Sequence, residues 1–387
     1  MTDRLLGSAE IAIIGAGLVG CATAYYLASG GVDVAVIDRG SVNREASGAN
    51  AGSLHLQIYI HPHFPDDWID RIRPTIELMR EAQKSWATME ERLGTDCGVR
   101  LGGGLWVAET DEEMRLVEKK VAAENALGVM SEVHDRAGIL KLAPYLGDHV
   151  IGGSFLKGEG FANPLLVTPA HARAARRHGA RFFTGAAVTA ITREGGRFLI
   201  ETSRGRFSAG QVIAAAGAWT ASIGRMVGLD LPVTGSIAQV SVTEGRPNIM
   251  LDHMLQHVGK GLTLKQSRQG TFIIGGGWPG LYDRQRDHKM PALDSIVGNA
   301  WVAARTVPEI AKAQLVRAWG GMGSGSIDGL PIIGESSVVR GFHVAYVPLG
   351  FTMGPITGQI FSEKFLTGEA SLPLAPYAPD RFLDRAA

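Results

Sequence analysis

Gly15, Gly17 and Gly20, spaced as Gly15-Ala16-Gly17-Leu18-Val19-Gly20, and Asp38, 18 residues beyond Gly20, are the residues whose types and spacing most directly imply chemistry. In GxGxxG the first glycine makes a tight turn, the second lets backbone approach a pyrophosphate, and the third lets a helix pack on a strand. The helix N-terminus then faces phosphate charge, and an acid placed like Asp38 takes ribose hydroxyls. The implied chemistry is capture of a dinucleotide, with flavin and nicotinamide forms both compatible. The elements that must position these residues are present. Glu10–Gly15 reads as a buried strand, Leu18–Ser29 as a helix and Val32–Ile37 as a second strand, a β–turn–α–β unit within about 28 residues.

Composition bounds the rest. A chain of 387 residues has room for two or three domains. Lys+Arg and Asp+Glu are 38 each, which argues against a nucleic-acid or polybasic membrane-surface partner. The 51 glycines are about twice the usual ~7% share, so they are expected at turns and close approaches. With only Cys21 and Cys97, a disulfide framework and a four-cysteine metal or iron–sulfur site within this chain are excluded, and a reducing, cytoplasmic setting is expected. Residues 11–28 carry no charge, and Leu18-Val19-Gly20-Cys21 imitates a lipoprotein cleavage site. Glu10 and three interrupting glycines instead favour the buried strand and helix, and no transmembrane segment is expected.

Further elements follow from periodicity. Residues 41–57 read as loop. Helices are expected at Pro74–Gly94, Asp111–Gly128, Pro169–Gly179, Asp294–Val307 and Gly354–Leu366. Glu112, Glu113, Glu118, Lys119 and Lys120 are read as a solvated face. Strands are expected at Ala187–Ile191, Phe198–Thr202, Gly205–Phe207, Gln211–Ala215 and Phe342–Val347, with antiparallel sheet over 232–290 and a glycine-rich loop at Gly320–Gly325. The fold class is α/β plus antiparallel β: a Rossmann-type dinucleotide domain interleaved with a substrate domain on a mixed or antiparallel sheet. Approximate boundaries are 1–89, 150–230 and 312–387 for the first and 90–149 and 231–311 for the second.

Three later segments point beyond the motif. Arg44-Glu45-Ala46-Ser47-Gly48-Ala49-Asn50-Ala51-Gly52, Val212–Trp219, and the pair Asp328–Gly334 and Gly350–Pro355 resemble, in matching order, the FAD signatures of the D-amino-acid-oxidase-type flavoprotein superfamily. Leu262–Gln266, Ile273–Pro279 and Ala51–His55 are similar to one subgroup, the β subunits of opine oxidase, D-hydroxyproline dehydrogenase and hydrogen cyanide synthase. The resemblance implies non-covalent FAD and oxidation of an amine or amino-acid C–N bond by hydride transfer to flavin N5. It also implies sibling subunits carrying a second flavin-fold chain and a [2Fe–2S] centre. The cofactor contacts it implies are Gly15, Gly17, Leu18, Val19, Gly20, Asp38 and Arg39 at the first turn, and Ser47, Gly48, Asn50, Ala51 and Gly52 in the following loop. Val188, Gly217 and Trp219, and Gly350, Phe351, Thr352 and Met353, complete the set. Backbone N–H groups at 350–353 would stabilise charge at the flavin's N1–C2=O edge.

Substrate-side candidates are His55, Lys265 and Met322, with Trp278 and Trp319 as pocket walls. Their ordinary alternatives are a structural histidine, a solvated strand lysine and core aromatics. Thr263 and Lys265 share one strand face, opposite Leu262, Leu264 and Gln266. Where many family members carry a carboxylate-clamping arginine, this chain has Gly323, which disfavours a simple free amino acid and favours an opine or cyclic imino acid. No metal is expected at His61-Pro62-His63, Cys21 reads as packing, and Arg176-Arg177-His178 as a solvated helix end. The alternatives are a self-contained glycine- or sarcosine-type oxidase using oxygen and a non-catalytic flavin-binding subunit; balanced charge counts against a tRNA-modifying relative.

Overall fold

A computed structural model describes residues 5–386. The apolar run at the start forms the strand Leu5–Ile14, whose Ile11, Ala12 and Ile13 are fully buried, as expected of a strand covered on both faces. It is central to an eight-stranded sheet. It pairs in parallel with Val34–Ile37 on one side and Gly205–Ala214 on the other, and the sheet continues through Phe342–Tyr346 to Ile332–Glu335. The helix Leu18–Ser29 packs on this sheet and against the helix Gly350–Thr367. The two helices approach closely at Gly358, where a Cβ would lie 2.6 Å from the Thr23 nitrogen.

A second eight-stranded sheet runs in the order Leu315–Ser326, Val233–Gly245, Thr271–Gly275, Leu262–Gln266, Met254–His257, Gly104–Ala108, Gly152–Leu156 and Glu132–Asp135. Cross-strand register sets Ser154, Trp106, Gln256, Thr263 and Gly275 in one row. Gly104, Met254 and Lys265, two positions along their strands, face the same way. The segment 53–59 crosses this face: Ser53 bonds to Lys265, Gln57 to Gly104 and Ser154, and the Tyr59 ring meets Trp106 at 5.6 Å.

Several expectations are corrected. Residues 41–57 contain a short helix, Ala46–Ala49, and a two-residue strand, Ser53–Leu54. Gly205–Phe207 and Gln211–Ala215 belong to one strand, Gly205–Ala214, because parallel pairing with Leu5–Ile14, unbroken from Gly7 onward, supplies its hydrogen bonds. The expected loop Gly320–Gly325 is part of the strand Leu315–Ser326, laddered onto Val233–Gly245. Its small residues permit close approach, since a Cβ at Gly321 would lie 2.9 Å from that of Ala49. The strands Gly152–Leu156 and Leu315–Ser326 pair into the second sheet, so that sheet takes residues from both 150–230 and 312–387. The helix expected from Pro74 starts at Trp68. In the helix Asp111–Ala126, Glu113 and Lys120 are buried instead of solvated, because that side of the helix covers the second sheet.

Candidate active site

The two helices that meet at Gly358 also open their N-termini into one cleft of about 700 Å³. Neither is capped by its own N-cap side chain, so first-turn N–H groups other than that of Leu18, which Ser47 takes, remain for an external acceptor. At the first helix, Gly15 has φ +119°, which disfavours any side chain, and a Cβ there would lie 2.8 Å from the Ala215 carbonyl carbon. A Cβ at Gly17 would enter the cleft 3.0 Å from Ser47 Oγ. Asp38 accepts the Ala16 N–H at 2.6 Å and the Gly40 N–H at 2.6 Å, and each carboxylate oxygen keeps a second acceptor site. Ser47 Oγ accepts from Leu18 N at 2.9 Å. At the second helix, the preceding residue Leu349 adopts φ +50°, an unfavourable conformation for a branched side chain, which turns the chain so that Gly350, Phe351 and Thr352 line the cleft. Two uncapped helix ends, a glycine cradle and an acceptor-rich acid fit a flavin dinucleotide.

Among the expected cofactor contacts, Gly15, Gly17, Leu18, Val19, Asp38 and Arg39 line the cleft, as do Ser47, Asn50, Ala51, Val188, Gly217, Trp219, Gly350, Phe351 and Thr352. Four others do not. Gly20 faces Gly15, Gly48 faces Asn43, and Gly52, at φ +80°, faces Ala162, each so closely that a Cβ would meet a carbonyl oxygen. Met353 is buried in the core beneath the helix. Their contribution is to shape the loops that carry the lining residues.

At the substrate end, His55 and Met322 line the cleft together with Tyr59, Thr263 and Gln239. His55 donates its backbone N–H to Thr352 Oγ1 at 3.0 Å, and its Nδ1 has no partner. Burial, reinforced by the Lys265 ammonium, lowers its pKa to about 4, so the ring is neutral at pH 7. Lys265 is neither solvated nor on the cleft wall. It lies fully buried behind Ala51 and Ser53, donating to the Ala51 carbonyl at 2.9 Å and Ser53 Oγ at 2.5 Å, and burial lowers its pKa to about 7. The tryptophans are not walls either. Trp319 donates its indole N–H to the Ala49 carbonyl at 2.7 Å, holding the short helix Ala46–Ala49, and Trp278 donates to the Gly261 carbonyl at 2.7 Å. Cys21 is buried, with its thiol pKa pushed up by desolvation. Arg176, Arg177 and His178 end a helix at the surface.

Two groupings escape sequence reasoning. Arg39 stacks on Trp219 at 3.9 Å and pairs with Glu45 at 2.8 Å. Lys289, from the hairpin of Gly280–Asp283 and His288–Pro291, also reaches Glu45, at 3.1 Å. Behind the segment 53–59 lies a sealed network of Lys120, Glu124, Glu159 and Gln57. Its members are scattered through the chain with no common spacing, and the charged pattern of the Asp111–Ala126 helix placed Lys120 on a solvated face.

Comparison with known proteins agrees with this arrangement. The DAO family model, FAD dependent oxidoreductase, matches residues 10–364. Glycine oxidase of Geobacillus kaustophilus (strain HTA426) is 27% identical over 97% of this chain and 98% of its own. A crystal structure of glycine oxidase from Geobacillus kaustophilus superposes with a TM-score of 0.87 at 25% identity, covering 97% of this chain and 99% of the other. Sarcosine oxidase subunit beta of Rhizobium meliloti (strain 1021) is 26% identical over 96% of this chain and 88% of its own. L-proline dehydrogenase from P. horikoshii shares the fold, with a TM-score of 0.86 at 23% identity over 98% of this chain and 99% of its own. Among the described residues no helix is long and apolar enough to cross a membrane.

Proposed function

Because the chain belongs to the DAO family of FAD-dependent oxidoreductases, we propose that it oxidises the C–N bond of an amino acid or secondary amine, of opine or cyclic imino-acid type, as the catalytic β subunit of a hetero-oligomeric dehydrogenase. One observation sets the substrate end apart from a site built around a carboxylate-clamping arginine. Arg39 is the only lysine or arginine among the described cleft-lining residues, and it lies beside Asp38, stacked on Trp219 and paired with Glu45. No free guanidinium therefore faces the substrate end to grip a carboxylate in a bidentate pair. The similarity to sarcosine oxidase subunit beta supports the subunit assignment. The end-to-end match to glycine oxidase supports a second reading, a self-contained oxidase that uses oxygen.

Bound FAD supplies the two-electron acceptor. Gly15, Gly17 and the first turn of Leu18–Ser29 would hold its pyrophosphate, Asp38 its ribose, and the Gly350–Thr352 turn the edge of its ring. Phe351, Met322 and Thr263 line the reacting end, and desolvation of a substrate amine among them would favour the neutral form that this oxidation needs. His55, neutral at pH 7, bounds the substrate end of the cleft beside Tyr59. Loss of a hydride equivalent from carbon and a proton from nitrogen leaves an imine; water hydrolyses an acyclic imine to an amine and an oxo compound and opens a cyclic one to a single amino-oxo acid. The test is product analysis with an artificial electron-accepting dye. One oxo group and one amino group formed per two electrons passed to the dye, on two molecules from an acyclic substrate or on one from a cyclic substrate, supports the assignment, and turnover with oxygen alone favours the self-contained oxidase.

A further inference from the structure

We infer that Lys120, Glu124 and Glu159 form a buried charged clamp that positions the segment His55–Tyr59 over the substrate end of the cleft. Three consecutive main-chain donors of that segment end on two carboxylates. Leu56 and Gln57 donate to Glu159 Oε1 at 2.9 and 3.2 Å, and Ile58 donates to Glu124 Oε1 at 2.6 Å. The Gln57 side chain closes the arrangement. Its Nε2 donates to Glu159 Oε2 at 2.5 Å, and its Oε1 accepts from Lys120 Nζ at 2.7 Å and Ser154 Oγ at 2.9 Å. Lys120 also donates to Glu124 at 3.0 Å and Ser154 at 3.1 Å, and Ser131 to Glu124 at 2.5 Å. All three charged side chains are sealed from solvent.

Sealing three charges is a poor route to stability, because well-packed apolar residues of similar volume are often as stable or more so. What the clamp does provide is geometry. Residues 55–60 have no helix or strand partner to fix their path, yet His55 and Tyr59 must present their side chains to the cleft. The carboxylates replace the missing ladder, with directional acceptors at three successive positions. The site is also shaped for this use: a Cβ at Gly104 would lie 2.9 Å from Glu159 Cγ, so glycine leaves the room the carboxylate occupies. The three residues act through His55 and Tyr59 and are positioning residues.

This inference rests on the amine-oxidation reading for its consequence and on the network alone for its mechanism, so the test has two arms. Flavin-loaded wild type, Glu159→Gln, Lys120→Met, Gly104→Ala and a control in the far core, Ile200→Val, are compared by hydrogen–deuterium exchange. Loss of a charge-assisted bond should speed exchange of amides 56–58 about tenfold or more, with little change elsewhere, and Ile200→Val should leave them as in wild type. In the second arm, the amine that best bleaches the wild-type flavin should show KM raised about tenfold with a smaller fall in kcat, and His55→Ala combined with Glu159→Gln should be non-additive. Unchanged or uniformly faster exchange would overturn the clamp. Local loosening with unaltered KM would overturn its positioning role. If no amine bleaches the wild type, the functional reading fails, while the exchange arm still decides the clamp.

Discussion

Lys265 donates to Ser53 Oγ at 2.5 Å, joining the second eight-stranded sheet to the loop that follows the Ala46–Ala49 helix. The same ammonium reaches the Ala51 carbonyl, so one side chain holds both ends of a turn whose Asn50, Ala51 and Ser53 line the cleft. Lys265→Met keeps the volume but leaves two buried acceptors unsatisfied. Losing bonds to a charged group at about 1.5–3 kcal/mol each, it should bind FAD at least about tenfold more weakly, measured by flavin titration of the deflavinated protein.

That lysine also sets a pH dependence. Burial lowers its pKa from 10.5 to about 7, so between those values the folded protein binds fewer protons than the unfolded chain, and stability rises with pH. Chemical denaturation at pH 7 and pH 9.5 should show wild type gaining on Lys265→Met. Glu159 runs the other way: burial raises its pKa from 4.5 to about 7. Its protonated form stabilises the fold below pH 4.5, and that contribution disappears as pH rises through 7. Wild type should therefore lose stability relative to Glu159→Gln between pH 5 and 8, by an amount on the order of 3 kcal/mol.

Gly15 and Gly17 should fail differently. At φ +119° and with Ala215 pressed against it, Gly15→Ala should disrupt the turn itself and lower both Tm and flavin content. Gly17 has φ −75°, which alanine tolerates, so Gly17→Ala should fold with a near-normal Tm yet lose flavin affinity, because its methyl group occupies cleft space.

Gly323 offers a gain-of-function test. A Cβ there meets nothing closer than the Ser236 carbonyl at 3.6 Å, and the residue lines the cleft. Gly323→Arg should therefore be accommodated and should lower KM for simple amino acids such as glycine about tenfold or more, the worth of one charge-assisted pair. Steady-state kinetics on glycine and on an amine that lacks a carboxylate, side by side, checks the shift.

The nucleotide half of the protein was legible because its chemistry is local. Gly15, Gly17, Gly20 and Asp38 sit within one β–α–β unit whose helix, Leu18–Ser29, is found at the expected residues. Legibility falls where long-range pairing decides. Nothing in Gly320–Gly325 announces a strand until Val233–Gly245 lies beside it, and Trp319 is taken for a wall until the Ala49 carbonyl is seen to receive its N–H. Lys120 looks like any helix-surface lysine, since Gln57 and Ser154, its buried partners, are remote in sequence.

The central claim is tested most directly by the absorption spectrum of the purified flavoprotein under anaerobic conditions, titrated with sarcosine, glycine, D-amino acids, proline, D-hydroxyproline, octopine and nopaline. Flavin bands that one secondary amine bleaches fully at stoichiometric concentration, with the free amino acids slower, are expected. A flavin that none of them reduces, in the chain alone or with any subunits that co-purify with it, would contradict the proposed amine oxidation.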